Sequence, residues 1–162
     1  MTPFVDIYDK ALVTMQDYKL DKLAQTNYEA FLLFMKSLLK SGVPFFNCCL
    51  KSLEYVDLLE RTTDINGEEL EVENTYFVAD LDNKEQSILA MVLTYEWFKR
   101  DVNDARQYRQ KLSTRDFKTE SSYQSLQKRS EYMDKMKEQI VQEIQNYQIE
   151  HMDELAEKYG GL

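Results

Sequence analysis

The stretch Leu81–Val102, "LDNKEQSILAMVLTYEWFKRDV", decides the fold of this chain. Asp82 and Glu85 have the spacing of a capping box, in which each side chain satisfies a free backbone N–H at the start of a helix. The apolar residues that follow recur at helical spacing, in a pattern that continues toward Leu112: Ile88, Met91, Val92, Tyr95, Phe98 and Val102. A long amphipathic helix in the middle of the chain predicts a core built from helices.

Two further helices are predicted upstream of this stretch, with a polar connector between them. Thr2 and Pro3 are suited to the N-cap and the first helical position at the start of the chain. Thr26 and Glu29 form a second capping-box pattern. The helix that they open is predicted to end at Gly42, as the C′ residue.

The pattern changes twice between this pair of helices and the central one. Pro44 restarts the chain, and helical spacing of apolar residues over 46–56 predicts another helix, in an αα-hairpin with its predecessor. Asn66-Gly67 is then a type I′ turn signal flanked by alternating apolar residues. The sequence therefore predicts a small β-hairpin over 61–80, with the pairing of its strands left open.

The charge of the chain is concentrated in this hairpin region. The net charge is −9, and the stretch between Asp57 and Asp82 contains nine acidic residues but only one basic residue, Arg61. Such a segment serves either as a solvated face or as a surface that repels a passing polyanion. Because no basic stripe accompanies it, the sequence argues against tight DNA binding, which requires clustered Lys and Arg.

A last helix is predicted from about Ser122 to Tyr159, opened by Ser121 and Gln124 as a capping box and ended by Gly160-Gly161. A helix of that length would overhang a domain of this size, unless it breaks near Gln148. The fold class predicted is mainly α: a bundle of about five helices with a long C-terminal helix and a small acidic β-hairpin insertion. We expect one domain over 1–162, with the insertion at 61–80 and a projecting helix or tail at 148–162.

No catalytic or cofactor motif is visible. His151 is the only histidine, and Cys48 and Cys49 are adjacent, which suits neither a zinc site nor a disulfide framework. The four glycines have neither the G-x-G-x-x-G nor the P-loop spacing. We therefore expect no enzyme, no metal and no cofactor. Neither a signal peptide nor a membrane-spanning run is visible, so the chain is expected to be soluble when made.

The loop "STRDFKTESS", Ser113–Ser122, separates the two longest predicted helices and holds one aromatic residue. Phe117 is flanked by Arg115, Asp116 and Lys118. Two interpretations are open: Phe117 packs over the helix ends of its own chain, or it is an anchor that enters a neighbouring subunit.

The chain resembles the head–tail connector (adaptor or neck) proteins of tailed bacteriophages. The resemblance covers roughly 20–150 and is carried by "LDKLAQTNYEAFLLFMKSLLKSGVPFF", "YFVADLDNKEQSILAMVLTYEWFKRDV" and "DFKTESSYQSLQKRSEYMDKMKEQIVQEIQNYQ". It implies a structural virion protein, made in the bacterial host cytoplasm and located in the neck, at the portal vertex. Such adaptors form a ring, commonly twelve-fold, under the portal protein, extend the DNA channel and dock the next neck or tail-completion protein. They bind no cofactor and no membrane, and DNA passes them without specific binding.

The resemblance also directs attention to three groups of residues. Subunit-interface candidates are Arg115, Asp116, Phe117 and Lys118. Portal-docking candidates are His151, Met152, Leu155, Tyr159 and Leu162. Channel-facing acidic candidates are Glu68, Glu69, Glu71 and Glu73.

Two other functions compete with the adaptor. One is a cytoplasmic helical regulator or inhibitor with an acidic surface that mimics nucleic acid and a long helix that binds a partner's groove. The other is a helical scaffold or chaperone that is used in assembly and then lost. The adaptor should be part of the finished particle, whereas neither of the others should.

Overall fold

Helices dominate the chain. The computed structural model describes residues 1–15, 17–63, 69–112 and 120–160, with side chains described outside 62, 63, 69, 70, 108–112 and 120–126. The helices in these ranges are α1 (Phe4–Met15), α2 (Tyr18–Thr26), α3 (Tyr28–Gly42), α4 (Asn83–Leu112), α5 (Glu120–Glu150) and α6 (Met152–Tyr159). The strands are β1 (Thr2–Pro3), β2 (Tyr55–Thr63) and β3 (Glu69–Phe77), in an antiparallel sheet of order β1-β3-β2. The mainly α class with a small β insertion is confirmed.

The central helix α4 starts as the sequence predicts. The Asp82 carboxylate accepts from the backbone N–H of Lys84 and of Glu85, and the Glu85 carboxylate accepts from the N–H of Asp82 at 2.8 Å. Helix α4 packs against α1, α3 and α5. Because it has neighbours on several sides, Leu89 and Leu93 are fully buried although they lie off the predicted apolar face.

Gly42 has a role other than the predicted one. Its φ of −85° lies in the right-handed region, so it does not provide the left-handed C′ conformation that the sequence suggested. A Cβ atom at Gly42 would instead lie 2.4 Å from Cγ1 of the buried Val92. The glycine therefore allows α3 and α4 to approach closely.

The first residues form a strand and not a helix cap. Thr2 and Pro3 pair with Phe77 and Tyr76 of β3, and α1 begins only at Phe4. The Thr2 hydroxyl accepts a hydrogen bond from the backbone N–H of Leu81 at 2.7 Å. The predicted helix cap is thus wrong, because the Thr2 hydroxyl binds the N–H of a residue that is distant in the sequence.

The predicted polar connector is the helix α2, capped by Asp17, whose carboxylate accepts from the N–H of Lys19. The predicted cap of α3 at Thr26 is one residue too early. Asn27 caps α3 by accepting from the N–H of Ala30, while the Thr26 hydroxyl donates back to the Lys22 carbonyl.

The helix predicted over 46–56 is wrong. A short 3₁₀ turn at Val43–Phe46 is followed by irregular chain, and β2 begins at Tyr55, so the hairpin starts before the predicted 61. Only Tyr55 and Val56 of this segment are in β2. There the pairing with β3 and the contact of Tyr55 with the Phe4 ring outweigh the helical spacing of the apolar residues. The predicted turn Asn66-Gly67 lies outside the described residues.

The long C-terminal helix is interrupted, in agreement with the second of the two alternatives. Helix α5 ends at Glu150, and His151, with φ −112° and ψ 24°, is non-helical before α6 begins. Gly160 follows α6 as its C-cap. The capping box predicted at Ser121 and Gln124 involves side chains that are not described.

Candidate interaction surfaces

The acidic hairpin β2–β3 is attached to the body at one end. On β3, Thr75 and Phe77 are buried, whereas β2 has no buried residue over 55–61. Its two strands carry one base, Arg61, and five acids: Asp57, Glu60, Glu69, Glu71 and Glu73. Two channel-facing candidates, Glu71 and Glu73, are exposed; the side chain of Glu69 is not described, and Glu68 lies outside the described residues.

Several of these carboxylates make contacts within the chain. Lys36 of α3 donates to Asp57 at 2.7 Å and to Glu73 at 3.0 Å. Hydrogen bonds from Lys36 and Thr75 lower the pKa of Asp57 below its usual value. Glu71 differs, because among the described residues its ion pair is with the exposed Arg61 at 3.4 Å, and an exposed pair of this kind contributes little. Of the hairpin carboxylates whose side chains the structure describes, Glu71 is therefore the most available to a partner.

An open groove of about 420 Å³ runs between the hairpin and the helices α1 and α3. Its apolar lining includes Tyr28, Leu33 and Leu59, with 55%, 58% and 73% of their surface exposed. Glu29 and Glu71 also line it. The groove thus combines exposed apolar surface with negative charge, which is typical of a surface that is covered in an assembly.

Helix α3 separates the acidic hairpin from α4. Lys36 contacts the hairpin, whereas the ring of Phe34 lies 4.9 Å from the guanidinium of Arg100 on α4. Residues two apart on an α-helix point in roughly opposite directions, since each residue turns the helix by about 100°. The hairpin and α4 therefore flank α3 on roughly opposite sides.

The distal parts of α4 and α5 extend beyond the core. Among the described side chains, the last buried one on α4 is Val102 and the first on α5 is Met136. Helix α4 continues to Leu112, about 15 Å further along its axis. Asp101 pairs with Arg129 at 2.7 Å and so ties the two helices together.

This helical pair is basic. Over 99–112 and 120–130, the acids Asp101, Asp104 and Glu120 are outnumbered by Lys99, Arg100, Arg106, Arg109, Lys111, Lys128 and Arg129. A chain with net charge −9 therefore has one strongly acidic and one basic projection. The interface candidates Arg115, Asp116, Phe117 and Lys118 lie outside the described residues, between these two helix ends.

The C-terminal helix α6 carries most of the portal-docking candidates. Met152 and Tyr159 are 65% and 59% exposed, and α6 has no buried residue. Leu155 and His151 are partly exposed, and the His151 ring packs 4.6 Å from that of Tyr147. Leu162 lies outside the described residues.

Lys158 connects α6 to the loop before β2, and the projection predicted for 148–162 stays a prediction. The ammonium of Lys158 donates to the carbonyls of Cys49 and Leu50, at 3.1 and 2.6 Å. The segment before α6 is held more firmly, because Tyr147 is fully buried and its ring packs edge-on against Phe46 at 5.0 Å.

A buried polar cluster around Glu85 was not predicted from the sequence. Glu85 is 1% exposed and accepts from the Tyr147 hydroxyl at 2.8 Å, while Lys51 pairs with it at 3.0 Å. The Sγ atom of Cys49 lies 3.6 Å from the same carboxylate. The capping-box position of Glu85 is visible in the sequence, but its three partners come from two distant segments, the loop before β2 and α5.

The cluster has the chemistry of a structural junction. Burial, together with the charge of Glu85, raises the pKa of Cys49 to about 12, so its thiol stays protonated at neutral pH. A protonated thiol is neither a good nucleophile nor a metal ligand. Burial also raises the pKa of Tyr147. Glu85 therefore joins α4 to α5 and to the loop before β2 through neutral donors and one lysine.

The chain has no recognised relative among the known proteins with which it was compared, and its described part has neither a candidate metal centre nor a helix that could span a membrane. Comparison with protein-family models, curated proteins and solved structures gave no match. In the part of the chain that the structure describes, no group of His, Cys, Asp and Glu side chains is arranged to hold a metal ion. No helix in the same part is both long and apolar enough to cross a bilayer.

Proposed function

We propose that this chain is a structural, non-enzymatic adaptor of a tailed bacteriophage, which forms a ring under the portal protein. The ring extends the DNA channel and offers a docking surface to the next neck or tail-completion protein. The observation that carries the proposal is α6, a helix with exposed apolar residues and no buried ones, held at the edge of a helical body. The sequence resemblance described above supplies the identity of the partner.

Helix α6 is suited to docking in a groove of another protein. Its apolar residues Met152, Leu155 and Tyr159 recur at the three-to-four residue spacing by which amphipathic helices enter hydrophobic grooves. Lys158 fixes the helix to the loop at Cys49 and Leu50 and so reduces the entropy that docking would cost. The portal protein is the partner that we assign to this helix.

Nucleic-acid mimicry by the acidic hairpin is less well supported. A mimic needs free carboxylates that can replace phosphates, but Asp57 and Glu73 are paired with Lys36. Glu60 accepts from the Tyr76 hydroxyl and from the Asn74 side chain at 2.8 Å. Lys36 holds the hairpin against α3, whereas the contacts of Glu60 lie within the hairpin. Among the described hairpin acids, Glu71 is then the one left for a partner, which is too few to replace a run of phosphates.

The test is co-purification of the full chain with the portal protein. Changing Met152→Glu and Tyr159→Glu together should abolish portal binding without unfolding the chain, because both side chains are exposed. Val13→Glu, which changes a 75% exposed residue of α1, is the matched control and should bind the portal normally. Deleting 147–162 is unsuitable, because it removes the buried Tyr147.

Failure of the unchanged chain to bind its portal would refute the proposed function. Normal binding by the double variant of α6 would refute the assignment of α6 as the docking helix.

A further inference from the structure

We propose that the acidic flank of one copy binds the basic flank of a second copy, side by side. The acidic flank is the β2–β3 hairpin with its groove, represented by Glu29, Leu59 and Glu71. The basic flank is the helical pair 99–112 and 120–130, represented by Arg106 and Lys128. The inference rests on the proposed ring and names the two surfaces that would join its subunits.

Charge complementarity is the first argument. Among the side chains that the structure describes, the acidic flank has a formal charge of −3: Glu29, Asp57, Glu60, Glu71 and Glu73 against Lys36 and Arg61. The helical pair has one of +3: Lys99, Arg100, Arg106, Lys128 and Arg129 against Asp101 and Asp104. Arg106 and Lys128 are exposed, and among the described residues the partner of Arg106 is neutral, the Ser130 hydroxyl at 3.1 Å. Surfaces of opposite sign steer association and set its register. Two acidic flanks, or two basic ones, would instead repel each other.

The positions of the flanks are the second argument. They lie on roughly opposite sides of α3, since Lys36 reaches one and Phe34 the other. A copy placed beside another therefore presents its basic flank to the neighbour's acidic flank while its own acidic flank stays free. This is a heterologous contact, which closes into a ring when successive rotations add to a full turn.

The groove supplies the apolar part of the contact. Tyr28, Leu33 and Leu59 are more than half exposed in the isolated chain, and a neighbouring subunit that covers them would remove this apolar surface from water. Glu29 and Glu71 beside them face a basic partner favourably. On this assignment Glu71 contacts the neighbouring subunit and not the DNA channel.

The test uses two variants, each with two exposed charges of one flank reversed. The acidic-flank variant carries Glu29→Lys and Glu71→Lys, and the basic-flank variant carries Arg106→Glu and Lys128→Glu. All four side chains are exposed, so both variants should fold, which circular dichroism will check. Sedimentation velocity at low salt, where charge screening is weakest, measures assembly.

The unchanged chain should form species larger than a dimer as its concentration rises, and added salt should dissociate them. Each variant alone should remain monomeric. An equal mixture of the two should assemble again, because the intact acidic flank of one variant meets the intact basic flank of the other and the exchanged charges at the second contact are again opposite in sign. Matched reversals on α5 outside both flanks, Lys135→Glu with Lys137→Glu and Asp134→Lys with Glu138→Lys, should assemble like the unchanged chain.

Three results would overturn the inference. The first is an unchanged chain that stays monomeric at low salt up to about 1 mM, which corresponds to a binding free energy weaker than about 4 kcal/mol. The others are assembly by either flank variant alone and a mixture of the two variants that stays monomeric. Portal co-purification separates this failure from that of the function. A chain that binds the portal but lacks this contact forms its ring by other surfaces, whereas a chain that assembles through the flanks but ignores the portal is not a portal adaptor.

Discussion

Replacing Tyr147 by phenylalanine tests the buried cluster that joins the two longest helices. The hydroxyl of Tyr147 donates to Oε1 of Glu85 at 2.8 Å and accepts from the backbone N–H of Leu50 at 3.1 Å. Phenylalanine keeps the ring and its contact with Phe46 but removes both hydrogen bonds. Oε1 of Glu85 then retains only the weak contact with the Cys49 thiol at 3.6 Å.

The loss of stability follows from the two groups that lose a hydrogen-bond partner, the Glu85 carboxylate and the backbone N–H of Leu50. A hydrogen bond to a charged group contributes about 1.5–3 kcal/mol, and a buried N–H without a partner costs about 1–3 kcal/mol. Leu50 is only partly buried, so water can hydrogen-bond to its backbone N–H and reduce this cost. We expect Tyr147→Phe to lower the free energy of unfolding by about 3 kcal/mol, or the melting temperature by roughly 6–12 °C in a chain of this length.

Thermal and urea unfolding followed by circular dichroism measure this change. Tyr132→Phe is the matched control, because Tyr132 lies on the same helix and is 48% exposed. Its loss should alter the free energy of unfolding by no more than about 0.5 kcal/mol. If the two variants melt within a degree or so of each other, the cluster does not join α4 and α5 in the way described.

Two further predictions concern the packing of α3 and the pH dependence of the hairpin. Gly42→Ala should lower the free energy of unfolding by about 1–2 kcal/mol in urea, although alanine has the better helix propensity, because the new methyl group meets Val92. Val92→Ala should lower the free energy of unfolding less in the Gly42→Ala chain than in the unchanged chain. The pKa of Asp57 is lowered in the folded chain, so its contribution is complete above the ordinary value of 3.8 and is lost as the pH falls through the lowered pKa. Amide exchange of β2 and β3 should therefore accelerate relative to that of α4 below about pH 4, and Asp57→Asn should remove this pH dependence. Exchange of the hairpin that accelerates in parallel with that of α4 would contradict the prediction.

The sequence predicts the elements that depend on local patterns. The capping box at Asp82 and Glu85 and the apolar stripe of α4 were both correct, because each is set by residues that are near one another in the chain. The break in the C-terminal helix was one of two stated alternatives. Its position at His151 could not be fixed, since no glycine or proline marks it.

The larger errors have a common physical cause, which is competition from distant segments, whereas the misplaced cap at Thr26 is local. Thr2 was assigned to a helix cap, but Leu81 uses its hydroxyl. Val56 was assigned to a helix, but β3 supplies it with a strand partner, Tyr76. The cluster at Glu85 could not be predicted, because its partners lie 36 and 62 residues away along the chain.

The separation of the two charged flanks was only half visible from the sequence. The acidic segment between Asp57 and Asp82 was recognised as a block. The basic residues were not, because they are spread over the ends of two helices that only the fold brings together. Charges that are far apart in the sequence but close together in the fold cannot be recognised from a pattern along the sequence.

Imaging the portal vertex of the virions that carry this chain tests the central claim most directly. The account predicts a ring of this chain directly under the portal, with α6 against the portal and each acidic hairpin against the α4–α5 pair of the next subunit. Virions whose neck lacks the chain, or in which it occurs as single copies away from the portal, would contradict the account.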